Sequence, residues 1–142
     1  MNIPNRKKSY NNLAPFLAAT NASPRKYIRL ENDPFMPLVL EYLHYADHRG
    51  LPVYSITHYG EQNGDAMRDP DMEFSVDFQS GEVHPMTYQN DYMGVYQEVY
   101  SADGKRYHPG LLRDLESFLA TWTRNIVQQG FDPFRQQTQD NE

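Results

Sequence analysis

From Met72 to Phe78 the chain alternates strictly: Met72, Phe74, Val76 and Phe78 are apolar, and Glu73, Ser75 and Asp77 between them are polar. Period two marks a β-strand with one side on a core and one in water, because successive side chains point to opposite faces. Such a strand needs neighbours and a layer over its apolar side. Gln79-Ser80-Gly81-Glu82 reads as a turn, so Val83 to Tyr88 is expected back as an antiparallel partner, with Pro85 marking an edge or bulge. Val53 to Tyr59, rich in β-branched and aromatic residues, reads as a strand, as do Tyr27 to Leu30 and Gly94 to Tyr100, the last ending at the turn Ser101-Ala102-Asp103-Gly104.

Two segments carry helical spacing instead. Asn32-Asp33-Pro34 resembles a capped helix start, and Phe35, Leu38, Val39, Tyr42, Leu43 and Ala46 recur at three and four residues, so a helix is expected from Pro34 to His48, closed by Arg49-Gly50. The second runs from near His108-Pro109 to Gln129, before Gly130. Leu111, Leu112, Leu115, Phe118, Leu119, Trp122 and Ile126 form its apolar stripe and make it the principal core helix. The expected fold class is α+β: a mainly antiparallel sheet of four to five strands with two helices on one face. The other face, holding the alternating polar residues, is one place where a partner can dock.

At 142 residues the chain suits a single domain, placed at residues 25–131. Residues 1–24, with three prolines and five asparagines, read as a flexible basic arm, and 132–142 as a flexible polar tail. Residues 1–30 hold six basic side chains (Arg6, Lys7, Lys8, Arg25, Lys26, Arg29) and no acidic one, leaving 7 basic against 19 acidic residues beyond. That body repels phosphate, while the basic arm leaves open nucleic-acid binding through residues 1–30. The absence of cysteine excludes disulfides, thiolate nucleophiles and Cys-ligated metal. No apolar run approaches the roughly 20 residues that a bilayer span needs, so no membrane partner is expected. Proline and asparagine interrupt the stretch after Arg6-Lys7-Lys8, which makes a poor signal peptide, and a cytoplasmic location is expected.

Chemistry-bearing residues crowd two windows. His58, Glu61, Gln62, Asn63, Asp65, Arg68, Asp69, Asp71 and Glu73 fall within 16 residues, with turn signals at Asn63-Gly64-Asp65 and Asp69-Pro70-Asp71. One explanation is a divalent cation held by oxygen ligands, Asp65, Asp69 and Asp71 being weak candidates because the spacing does not fit a calcium loop. A plainer one is an ion-paired loop in which Arg68 meets the carboxylates and sets the loop's shape. A hydrolytic centre with His58 as base is a third, although no complete catalytic motif accompanies it. His44 and His48, four apart on the expected helix, read as solvated. In the second window Tyr88, Asn90, Asp91, Tyr92 and Tyr96 offer flat apolar rings with polar tips; without nearby basic residues they suit a protein better than a nucleic acid, or they simply pack the sheet.

The run His58-Tyr59-Gly60-Glu61-Gln62-Asn63-Gly64-Asp65-Ala66-Met67-Arg68-Asp69-Pro70-Asp71-Met72-Glu73-Phe74 resembles the hallmark of a small domain of unknown function found in bacterial plasmids, integrative elements and phages. Tyr88-Gln89-Asn90-Asp91-Tyr92 with Tyr96-Gln97-Glu98-Val99, and Leu119-Ala120-Thr121-Trp122, are similar to its second and third blocks. The resemblance spans about residues 26–131. It implies a mobile-element accessory protein and no catalytic assignment. The expectation is therefore a non-enzymatic protein-binding module, related to counter-defence or conjugation, with no cofactor. A metal-dependent hydrolase or nuclease using the 58–73 segment, and nucleic-acid binding through the basic arm, are the alternatives.

Overall fold

The computed structural model describes residues 3–135. Its elements are α1 (Ile3–Ala22), β1 (Tyr27–Asn32), β2 (Phe35–Ala46), β3 (Pro52–Gln62), β4 (Asp65–Asp77), β5 (Glu82–Pro85), β6 (Thr87–Asn90), β7 (Val95–Glu98) and α2 (Pro109–Gln128). The strands form one antiparallel sheet in the order β1-β2-β3-β4-β6-β7, with β5 also paired to β4. This is the expected α+β class, a mainly antiparallel sheet with two helices packed against it. The strands number seven rather than four or five. One of the extra strands is β2, and another arises because the return from β4 breaks at Met86 into β5 and β6.

Two expectations are corrected. The segment expected as a helix from Pro34 to His48 is the strand β2, joined to β1 by the two-residue turn Asp33-Pro34, whose peptide bond is cis. Its helical spacing was ambiguous: Leu38, Val39 and Leu40 are all buried, so apolar residues stand on both faces and mask the period of two. Tertiary pairing decides, because β1 and β3 each find in β2 the partner their backbone groups need. His44, with φ of 63°, and His48 accordingly sit on a strand and a turn rather than one helical face.

The second correction concerns residues 1–24, expected as a flexible arm. Residues 3–22 of this stretch form α1, which buries Arg6, Ser9, Leu13, Phe16, Leu17 and Thr20. Those positions recur every three or four residues, but half are polar, which hid the stripe. Arg6 is drawn in by charge: its Nε lies 2.6 Å from Glu116 Oε2 on α2, and its Nη1 3.7 Å from Glu82 Oε1. Lys7 Nζ donates to the Ser80 carbonyl at 3.1 Å. Two of the basic residues on which nucleic-acid binding would rely are thus engaged within the fold.

The C-terminal helix follows the sequence reading. His108 caps it, its Nδ1 accepting from the Leu111 N–H at 3.2 Å, and Pro109 opens it. Leu112, Leu115, Leu119, Trp122 and Ile126 are buried, while Phe118 lies at the margin, edge-on to Tyr88 with centroids 5.5 Å apart. At the chain's end, Phe131 and Pro133 are buried, so packing reaches past the expected boundary at 131, and residues 136–142 of the expected tail lie outside the described residues.

Register fixes which side chains share a face. Leu40, Ile56 and Met72 are cross-strand partners, as are Tyr54 and Phe74, and Val76 and Val83; with Ile28, Leu30 and Leu38 they join Leu13, Phe16 and Leu17 of α1 and the α2 stripe in one core. The intervening residues point the other way. Arg29, Val39, Thr57, Asp71, Gln89 and Tyr96 form one cross-strand row, and Tyr27, Glu41, Ser55 and Glu73 the next. This is the open face.

Candidate functional site

The carboxylate-dense segment after β3 is a hairpin, not a long loop. Gln62 pairs with Asp65 around Asn63-Gly64, with φ of 54° and 85°. Two positive φ values in a two-residue connection are the condition that Asn-Gly meets most readily. Glu61, Gln62, Asn63 and Asp65 are exposed at its tip.

Further along, β4 carries an irregularity: Thr57 pairs with Asp71 but Tyr59 with Arg68, so Asp69-Pro70, another cis bond, forms a bulge. The β6–β7 turn stitches this bulge down. Asp91 Oδ2 accepts from Arg68 N at 2.9 Å and from its Nε at 3.0 Å, while the Asp91 N–H donates to the Arg68 carbonyl at 2.9 Å. Asn90 Nδ2 donates to Asp69 Oδ1 at 2.6 Å. Tyr92 donates its hydroxyl to the Glu61 carbonyl at 3.2 Å and lies against Gly60, where any Cβ would collide with that hydroxyl. The two sequence windows are therefore brought together, and Arg68, Asp69, Asn90, Asp91 and Tyr92 form a structural clasp. Hydrogen bonding by Arg68 holds the Asp91 carboxyl below its ordinary range.

His58 is turned into the core. It is 7% exposed, sits between Trp122 and Phe131 with ring centroids 5.6 Å away on either side, and its Nδ1 lies 3.1 Å from the Met36 carbonyl. Burial lowers its pKa. The expected base thus faces away from the carboxylates at the hairpin tip. Asp65, Asp69 and Asp71 diverge to tip, clasp and open face, and among the described residues no group of three His, Asp or Glu side chains is arranged to hold a metal ion.

Of the expected residues, Asp71 and Tyr96 both lie on the open face, on either side of Gln89. Asp71 is largely buried, and its Oδ1 has no hydrogen-bond partner. Burial and the adjoining Glu73 charge push its pKa up to about 6, with Arg68 and Thr57 pulling the other way. Glu73 Oε1 accepts from the Tyr45 hydroxyl at 2.6 Å, and Glu98 Oε2 from the Tyr96 hydroxyl at 3.2 Å. Among the described residues no Lys, Arg or His nitrogen lies within 4 Å of Asp71, Glu73 or Glu98; the acidic partners in ion pairs are Glu31, Asp47, Glu82, Asp91 and Glu116. Tyr45 and Tyr96 are exposed beside them, Tyr27 is exposed on β1 of the same face, and Tyr59 is half-buried. At the Asp47 end, Tyr45, Asp47, Glu73, Tyr96, Glu98 and Tyr100 line a cavity of about 230 Å³. Sequence reasoning singled out Asp71 and Tyr96 but not Tyr45 or Glu98; the alternation around Glu73 pointed to this face, whereas the reach of Tyr45 across β3 has no local signature.

The family described as "Domain of unknown function (DUF6908)" matches residues 8–132. The chain belongs to the DUF6908 family. No curated protein and no solved structure matches it. The DUF6908 match takes in most of α1, in keeping with a helix built into the core rather than appended to it. No helix of the described DUF6908 fold is long and apolar enough to cross a membrane.

Proposed function

We propose that this DUF6908 domain is a non-enzymatic protein-binding module that docks a basic segment of its partner on the open face of the sheet. One observation carries the reading: Asp71, Glu73 and Glu98 stand among tyrosine rings with no cation of the described chain within 4 Å. Carboxylates with no cation within 4 Å, on a partly desolvated and aromatic surface, favour an arriving cation and disfavour phosphate. Tyrosine adds apolar area with little side-chain entropy to lose. The clasp holds the β6–β7 part of that surface in register with β4. The likeness of residues 58–74 to a domain of plasmids, integrative elements and phages supplies the proposed setting, an accessory protein of a bacterial mobile element acting in the cytoplasm in counter-defence or conjugation.

The test is affinity capture from host lysate with the wild-type chain and a Glu41→Lys/Asp71→Asn variant, each washed at rising salt. Proteins retained by the wild type, released by salt and not retained by the variant are the expected result. Identical capture by both chains overturns the reading.

A further inference from the structure

Two of the residues lining the cavity at the Asp47 end of the open face, Asp47 and Tyr100, already hold a guanidinium of the chain: Arg49 Nε and Nη2 lie 3.2 and 3.0 Å from Asp47 Oδ2, and its guanidinium carbon lies 5.9 Å from the centroid of the Tyr100 ring. A carboxylate and an aromatic ring together are how a protein binds a guanidinium, through charge-assisted hydrogen bonds and cation–π attraction. Asp47 is anchored for this, its carboxylate accepting from the N–H groups of Arg49 and Leu51 at 2.8 and 3.0 Å.

Four other lining residues present the same components. Glu73 and Glu98 supply the carboxylates, and Tyr45 and Tyr96 the rings. Both hydroxyls stay donors at neutral pH: burial raises their pKa values, with Glu73 adding to the effect on Tyr45 and Glu98 to that on Tyr96. Each carboxylate therefore has one oxygen bonded to a tyrosine hydroxyl and the other oxygen without a tyrosine partner. At about 230 Å³ the space exceeds the roughly 150 Å³ of an engineered cavity that admits benzene, and a guanidinium with its alkyl stem fits.

We infer that this cavity is a socket for an arginine side chain of the partner, seated between Tyr45 and Tyr96 with its N–H groups on Glu73 and Glu98. The inference rests on the open face being the docking surface and names what is recognised there. Lysine is the poorer fit, because a compact ammonium gains less from stacking and cannot bond two carboxylates in one plane.

The experiment is fluorescence anisotropy of the full chain with a labelled short peptide alternating arginine and serine, against the same peptide with citrulline or lysine at the arginine positions. The citrulline peptide is expected to bind at least about tenfold more weakly, and the lysine peptide about threefold more weakly. Glu73→Gln/Glu98→Gln is expected to weaken the arginine peptide about tenfold, and Tyr96→Ala about fivefold. Thermal unfolding of each variant checks the fold; should the double variant melt early, Glu98→Gln, at an exposed side chain, carries the test alone. Glu41→Lys, on the same face outside the cavity, separates the two readings. If it weakens the arginine peptide while Glu73→Gln/Glu98→Gln stays within about twofold of wild type, or if arginine and lysine peptides bind alike, the socket is overturned and the docking face survives. If no cationic peptide binds, or neither variant changes binding, both fall.

Discussion

On the helix-bearing side, Leu40, Ile56 and Met72 run across three neighbouring strands with nothing polar between them; one residue along, Val39, Thr57 and Asp71 run across the same strands on the open side. Each side also handles charge differently. Beneath the helices Arg6 and Glu116 are both buried and meet at 2.6 Å, so two charges removed from water compensate each other. Opposite, Asp71, Glu73 and Glu98 have tyrosine and threonine hydroxyls for company and, among the described residues, no cation within 4 Å. The charges between the helices are paired within the fold, while those on the open face are not paired within 4 Å, and the proposed partner is what would neutralise them.

Removing α1 is the most severe way to break the contrast. A chain lacking residues 1–22 loses Leu13, Phe16 and Leu17, each worth roughly 1.5–3 kcal/mol of burial, against a typical total stability of about 5–15 kcal/mol. It is expected to show no cooperative thermal transition by circular dichroism; a wild-type melt would return residues 1–24 to the status of an appended arm. Next comes Arg6→Ala, which removes the 2.6 Å ion pair to buried Glu116 and is expected to cost about 3–5 kcal/mol in urea unfolding. Arg6→Met/Glu116→Leu should recover most of that loss, because an apolar pair takes the buried carboxylate away together with the guanidinium it faces.

Two titrations sharpen the comparison, and their signs are opposite. His84, buried on β5, is held down to about 4 by burial and by the charges of Arg49 and Arg6. The unfolded chain takes up its proton first, so this contribution is complete above about pH 6.5 and is lost as pH falls toward 4; His84→Asn is expected to remove an acid-side loss of about 2 kcal/mol. Asp71 runs the other way. Its carboxyl, raised to about 6, binds a proton in the folded state first, so stability grows as pH falls from 6 toward 4. At pH 7, Asp71→Asn is expected to stabilise the fold by about 1 kcal/mol, after allowance for solvent screening, and to weaken the arginine peptide. A destabilised Asp71→Asn variant would mean that the carboxylate serves the fold rather than binding.

Much of this was legible from local pattern. The alternation in β4, the turn at Ser80-Gly81, the stripe of α2 and its His108-Pro109 start all stand, because each is set by neighbours a few residues apart. The same alternation marked the polar face. Two elements were misread for identifiable reasons: β2 carries apolar residues on both faces, which blurs a period of two into one near 3.6, and the stripe of α1 includes an arginine whose partner is 110 residues away. The site followed the same division. Asp71 and Tyr96 were singled out, while His58 proved to be core and Arg68, Asp69, Asn90, Asp91 and Tyr92 a clasp.

Composition and periodicity alone determined the α+β class, the strong amphipathic helix at the C-terminal end and the existence of a polar sheet face, since these depend on which side chains can leave water together. Register, the bulge at Asp69-Pro70 and the seating of Arg6 decided the rest: which carboxylates receive a cation and which do not. That is a property of distances between residues far apart in the chain, and charge acts through those distances whatever the spacing in sequence.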